Sequence, residues 1–277
     1  MKVLSLNISW ESMLHHQEHQ LGRKCATKPP NFCRSKLLNF LHDALKTYDI
    51  ISLQEVDEET HNQLSNIVDH TQYEYIYNIS GIEGMVTIFS KSKYDHVYST
   101  FHEFRRARPY SLHIMQNLHH NYYFIFINLH FCNGQSDCKD FLDELETSCT
   151  GILKYNKPHG IKRIILAGDT NYFSMPYNWI TRSGNTFEIS LKVKSKRYNL
   201  RCIQNHKTCC DNKGLGVDLS KYADFIFDSM FEIKNNIVEI HGDTMKFEDL
   251  LVISDHLPIS ANIRELSGSR SRKVSRG

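Results

Sequence analysis

The chain repeatedly ends an apolar run of strand length on a polar or charged residue, and nothing else constrains its fold as much. Val3 to Ile8 carries Asn7, and Ile50 to Leu53 leads into Gln54, Glu55 and Val56. Tyr122 to Asn128 leads into Leu129 and His130, and Ile161 to Ala167 leads into Gly168, Asp169, Thr170 and Asn171. Further on, Ser254-Asp255-His256-Leu257-Pro258 precedes the strand-like run Ile259 to Ile263. Strand ends are where an α/β scaffold presents reactive groups on a rigid base. Asp, Glu, His and Asn delivered in this way suit one task, holding a divalent cation against a phosphate ester.

Helices are expected between these runs. Leu37, Leu38, Leu41, Ala44 and Leu45 recur at helical spacing, Glu58 to Val68 reads as a second helix, and Asp137 to Tyr155 as a third. Gly84 to Ser90 and Ala223 to Phe227 read as strands, and Ser111 to Met115 pairs with Tyr122 to Asn128 as a hairpin through His119-His120-Asn121. Glu11 to Cys33 is an irregular polar insert, and Asn171 to Val217 is irregular and polar enough to suggest substrate loops. Interleaved helices and hairpins predict an α/β (α+β) fold of two mixed β-sheets covered outside by helices. Residues 1–265 are expected to form one domain. The Ser/Arg-rich stretch 266–277 offers nothing to bury and is expected to be disordered.

Composition excludes several classes. With 40% hydrophobic and 23% charged residues among 277, the chain reads as an ordinary globular protein. No run of about 18 apolar residues exists, which argues against a membrane span. The N-terminus reads as a strand and lacks the apolar core and cleavage site of a secretory signal, so an intracellular setting, cytoplasm or nucleus, is expected. The eight cysteines are irregularly spaced, and reduced thiols are expected. Cys202, His206, Cys209 and Cys210 offer zinc-type ligands, but adjacent cysteines seldom share one tetrahedral ion. The net charge of +2 hides an asymmetry. Arg270, Arg272, Lys273 and Arg276 stand in the tail without an acid, so attraction to nucleic acid must come from that tail and a local patch.

Taken in order, Asn7, Leu53-Gln54-Glu55-Val56, Asn128-Leu129-His130, Gly168-Asp169-Thr170-Asn171, Asp224 and Ser254-Asp255-His256 resemble the motifs of the endonuclease/exonuclease/phosphatase superfamily over roughly residues 1 to 264. Each motif alone is weak; Gly168 to Asn171 would suit a simple turn. The resemblance implies the DNase I-like fold, a four-layer α/β/β/α sandwich. It implies Mg²⁺ (or Mn²⁺) as cofactor, with Glu55 as principal ligand and Asn7 and Asp255 assisting. It also implies that Asp169 orients or deprotonates the attacking water, that Asn171 fixes that water or a phosphate oxygen, and that Asp224 pairs with His256. His130 then takes a phosphate-binding position, with Glu83 suggested as its partner, and Arg108 is a candidate substrate contact beside its reading as a surface arginine.

The expected activity is a metal-dependent phosphodiesterase acting on nucleic acid. Tyr172, Phe173, Tyr177 and Trp179 offer stacking surfaces, although packing is the plainer reading of such aromatics. The alternatives are a phosphatase acting on an inositol phosphate or phospholipid, and a catalytically silent module on the same fold. The stretch from Lys192 to Arg201 would serve a phosphoinositide headgroup and a nucleic-acid backbone equally. Tyr222-Ala223-Asp224-Phe225 lacks the arginine that inositol-polyphosphate phosphatases carry there, which disfavours the phosphoinositide. A monomer is expected.

Overall fold

The apolar runs become the central strands because both of their faces are covered. In the computed structural model, the described residues are 1–9, 25, 27–29, 31–81, 83–104, 108–131, 140–156, 160–172, 180–210, 219–240, 243–244, 254 and 256–266. Along the chain they form β1 (Lys2–Asn7), α1 (Phe32–Thr47), β2 (Ile50–Val56), α2 (Glu58–Ile67), β3 (Tyr73–Ser80), β4 (Glu83–Ser90), β5 (Tyr94–Phe104), β6 (Arg108–Asn117) and β7 (Tyr122–His130). Then come α3 (Phe141–Ile152), β8 (Ile161–Asp169), β9 (Ile180–Ser183), β10 (Thr186–Val193), β11 (Lys196–Gln204), β12 (Cys209–Cys210) and β13 (Leu219–Lys221). The last strands are β14 (Asp224–Asp228), β15 (Ile233–Ile237), β16 (Glu239–Ile240), β17 (Asp243–Thr244) and β18 (Ile259–Asn262).

One hydrogen-bonded path runs β3-β4-β2-β1-β18-β15-β11-β14-β8-β7-β6-β5, with β10 and β9 continuing from β11. The pairs β1–β2, β7–β8 and β11–β15 are parallel and the rest antiparallel, so the sheet system is mixed. Its two ends fold over each other: β2 packs against β7 and β8, and β4 against β6. The amide of Asn128 stitches these halves, accepting from Gln54 Nε2 at 2.8 Å and donating to the Val86 carbonyl at 3.0 Å. Such buried amides persist because each polar atom finds a partner.

The helices lie on the outward faces. In α1, Leu37, Phe40, Leu41 and Ala44 form a buried stripe against Leu4, Leu6, Ile51 and Leu53. Helix α2 starts at Asp57, whose side chain accepts from the Thr60 amide, an N-cap of the kind that short helices need. Phe141, Leu145 and Cys149 of α3 join the other cluster, with the apolar faces of β5 to β8. None of these described helices is long and apolar enough to cross a membrane.

Three expectations need revision. Residues 180–204 are not irregular: β9, β10 and β11 form an antiparallel meander there. Strands β3 and β5 occupy stretches that the sequence left unassigned. Cys25 and Cys33 are joined in a disulfide, where reduced thiols were expected. Cys149 and Cys202 are buried thiols. Among the described residues, no metal-type cluster includes Cys202, His206 or Cys209. The tail beyond 266 and most of the Glu11–Cys33 insert lie outside the described residues.

Candidate active site

Strand register assembles the site. In the β7–β8 pair His130 stands opposite Asp169, and in the β8–β14 pair Asp169 stands opposite Asp224. On the facing half, Asn7 stands opposite Gln54 in the β1–β2 pair, one residue before Glu55. Parallel neighbours end at the same pole, so residues far apart in sequence meet.

Asn7 joins the two halves. Its Nδ2 donates to Glu55 Oε1 and to Asp169 Oδ2, each at 2.9 Å, while Oδ1 accepts from the Ser9 amide. It therefore tethers two carboxylates through its nitrogen. Glu55 has a positive φ of 54°, a backbone state that costs about 1–3 kcal/mol for such residues and clusters at functional sites. Gly168 has φ 148°, and a Cβ there would lie 1.9 Å from the Leu129 carbonyl oxygen. Only glycine lets β8 pass β7 this closely before Asp169.

Two histidines flank Asp169. His130 is buried, with Nε2 3.2 Å from Glu55 Oε1 and 3.6 Å from Asp169 Oδ2, and Nδ1 3.1 Å from Glu83 Oε2. Burial opposes its charge, but the bond to Glu83 and the carboxylate of Glu55 hold its pKa above the ordinary value. Burial also acts on Glu83, where His130 and Arg108 outweigh it and hold the carboxyl below its ordinary value. Arg108 Nη1 donates to Glu83 Oε1 at 2.6 Å and lies 3.8 Å from Glu55. It is half-buried at the rim of the cluster.

His256 approaches from the other side. Its Nδ1 is 2.9 Å from Asp224 Oδ2, and its Nε2 is 3.9 Å from Asp169 Oδ2. The Ser254 hydroxyl fixes this turn, donating to the Asn7 carbonyl at 2.6 Å and accepting from the His256 amide. Burial pushes Asp224 up to about 7. Burial opposes charge on His256, but Cys209, Asp224 and Asp169 hold it well above the ordinary value. Since both partners are raised, the pair retains a proton at neutral pH. Asp169 moves the opposite way: burial raises it, while His256 and His130 outweigh that and keep it ionised. Burial pushes Glu55 up.

Asn171 has φ 48°, and its side chain donates to the Phe131 carbonyl while its backbone amide donates to Asp169 Oδ1 at 2.7 Å. Asn7, Glu55, His130, Asp169, Asn171, Asp224, His256 and Arg108 thus converge, and Asp255 lies outside the described residues. Sequence reasoning missed Thr208, whose hydroxyl accepts from the amides of Ala223 and Asp224, and weighed Cys209 only as a zinc-type ligand, whereas its backbone pairs with that of His256. No apolar strand run marks that segment. Thr208 carries only a hydroxyl whose partner is a distant backbone.

Two overlapping groups suit a metal ion. Glu55, His130 and Asp169 each offer a ligand atom, all within 4.8 Å of one another, and so do Asp169, Asp224 and His256. The donor set fits a hard divalent cation. Carboxylate oxygen dominates it, Asp224 Oδ1 is buried without a hydrogen-bond partner, and clustered buried carboxylates are costly without compensating charge.

No family model matches this chain, and no curated protein does. Solved structures match over nearly its whole length. ANGEL2, a 2',3'-cyclic phosphatase in complex with adenosine-2',3'-vanadate, is similar at 17% identity and TM-score 0.66, covering 94% of each chain. The Bacteroides thetaiotaomicron mannosyl-6-phosphatase Bt3783 is similar at 14% identity and TM-score 0.59, covering 95% of this chain and 98% of its own. An endonuclease/exonuclease/phosphatase family protein from the same bacterium reaches TM-score 0.61 at 14% identity, with 94% and 93% covered. These matches show that the chain has the DNase I-like fold expected from the order of its motifs.

Proposed function

We propose that this protein is a divalent-metal-dependent hydrolase of phosphate esters, and that its substrate is a nucleic-acid phosphodiester. The observation that carries the reading is the convergence of Glu55, His130, Asp169, Asp224 and His256 on one strand-end pole, with Asn7 tying Glu55 to Asp169. Mg²⁺ (or Mn²⁺) would be held principally by Glu55, with Asn7 and Asp255 assisting as the resemblance implies. A cation so held would polarise the phosphoryl oxygen and stabilise the leaving oxygen.

The chain's own residues do the rest. Asp169 is kept ionised by His130 and His256, so it can orient the attacking water and accept its proton. Asn171 fixes the Asp169 carboxylate through its backbone amide. Asp224 holds the His256 imidazole by Nδ1, leaving Nε2 to meet a phosphoryl oxygen as charge develops there. His130, anchored by Glu83, does the same from the opposite side, and Arg108 contacts the substrate phosphate.

The nucleic-acid reading draws support from ANGEL2, whose bound ligand is a nucleoside derivative, and from the basic tail. A phosphomonoester substrate is the second reading, supported by the similarity to a mannosyl-6-phosphatase. The test is hydrolysis with Mg²⁺ across single-stranded DNA, duplex DNA, RNA, a 2',3'-cyclic nucleotide, a sugar phosphate and a phosphoinositide, with Asp169→Asn as blank. Cleavage of a nucleic acid or cyclic nucleotide that the blank lacks supports the first reading. Turnover of the monoesters alone would replace it with the second.

A further inference from the structure

A cluster of cationic side chains stands at the opposite pole. Strand β14 begins at Asp224 and ends at Asp228, so roughly 13 Å of extended chain separates that pole from the His256 partner. There Lys196, Arg197 and Arg201 of β11 border a cavity of about 370 Å³ with Ser229, Met230 and Phe231. That volume falls in the range of small-ligand pockets, about 300–1,000 Å³.

The floor of the cavity is fixed in advance. Asp228 is fully buried and paired with the equally buried Arg163, and its Oδ1 accepts from the Met230 amide at 3.1 Å. The Ser229 amide donates to the Ile164 carbonyl at 3.0 Å, and the Ser229 hydroxyl accepts from the Ile164 amide at 2.8 Å. Phe231 is half-buried, with the guanidinium groups of Arg163 and Arg264 5.4 and 5.7 Å from its ring centroid. Met230 is 44% exposed, so an apolar surface borders the cations.

The charge balance favours an anion. Among the described residues, no carboxylate pairs with Lys196 or Arg197. Lys196 Nζ lies 4.3 Å from the centre of the Tyr198 ring, and Arg197 Nη1 donates to the Ser190 hydroxyl at 3.1 Å. Arg201 is engaged with Glu188 through Nε, which leaves its outer nitrogens. Glu232 also lines the cavity, while the charge of Asp228 is answered by Arg163.

We propose that this cavity binds an aromatic phosphate ester of the mononucleotide class, with the phosphate on Lys196 and Arg197 and the base on Met230 and Phe231. Arginine favours phosphate for its planar fork of donors, and an aromatic ring beside it accepts a base by stacking. The site lies apart from the reaction centre, so it stands or falls independently of the proposed hydrolysis.

The test is amide chemical-shift titration of the ¹⁵N-labelled full chain with AMP, adenosine and inorganic phosphate, in EDTA to suppress turnover. AMP is expected to shift the amides of residues 229–232, with adenosine and phosphate at least about tenfold weaker. The Lys196→Ala/Arg197→Ala variant, altered only at exposed positions, is expected to lose about tenfold or more in that affinity. Equal shifts from phosphate and AMP would reduce the site to a plain anion patch and overturn the proposal. Absence of shifts at 229–232, or their persistence in the variant, would overturn it as well.

Discussion

At the scale of single residues, few atoms join the two halves of the site. Asn7 contacts both Glu55 and Asp169, so Asn7→Ala is expected to loosen both and lower turnover about 10²-fold or more, the scale of losing one positioned polar group. Steady-state rates with folding checked by circular dichroism decide this; an unchanged rate contradicts it. Gly168→Ala places a Cβ against the Leu129 carbonyl. It is expected to destabilise the chain by more than about 1 kcal/mol, read as a lowered denaturation midpoint. Much of this scale was legible in the sequence, because Asn7, Glu55, His130, Asp169 and His256 each follow or interrupt an apolar run. Thr208, and the place of Cys209 beside His256, were not legible. Their place follows from a turn packed on Ala223 and His256, and nothing local in the sequence encodes a contact that only tertiary folding creates.

At the scale of elements, legibility tracked burial. Strands β7 and β8 are buried along nearly all their length and read as unbroken apolar runs. Strand β10 alternates buried Phe187, Ile189, Leu191 and Val193 with partly or fully exposed polar residues. That period of two is present in the sequence, but it lies within a long polar stretch, and the meander was read as loop with its surroundings. Strand β3 is only partly covered for most of its length and gave a weaker signal still. The stitching between halves yields a prediction at this scale. Asn128→Ala strips partners from Gln54 and from the Val86 carbonyl, and each buried group left unsatisfied costs about 1–3 kcal/mol. Chemical denaturation should report that loss; a midpoint within error of the parent contradicts the stitching role. Likewise, Asp228→Asn leaves Arg163 buried opposite a neutral group and is expected to cost about 3–5 kcal/mol.

At the scale of the whole molecule, the described fold carries an acid-labile interior. His113 on β6 is fully buried, and burial pushes its pKa from 6.5 down to about 3. Burial also lowers His96 and His102 on the neighbouring strand. A depressed histidine is neutral in the folded chain while the unfolded chain takes up a proton. The contribution of His113 is therefore complete above about pH 6.5 and falls as the pH drops toward 3, at a slope of about 1.4 kcal/mol per pH unit. His113→Gln is expected to flatten this acid limb in melts recorded between those limits; an unchanged limb contradicts the assignment.

The measurement that tests the central claim most directly is hydrolysis of a phosphodiester by the purified chain, followed with added Mg²⁺, after EDTA, and in Asp169→Asn. The account predicts turnover that vanishes with EDTA, returns with Mg²⁺ and falls by about 10²–10⁴-fold in Asp169→Asn. Equal turnover in the variant and the parent, or turnover indifferent to EDTA, would contradict it.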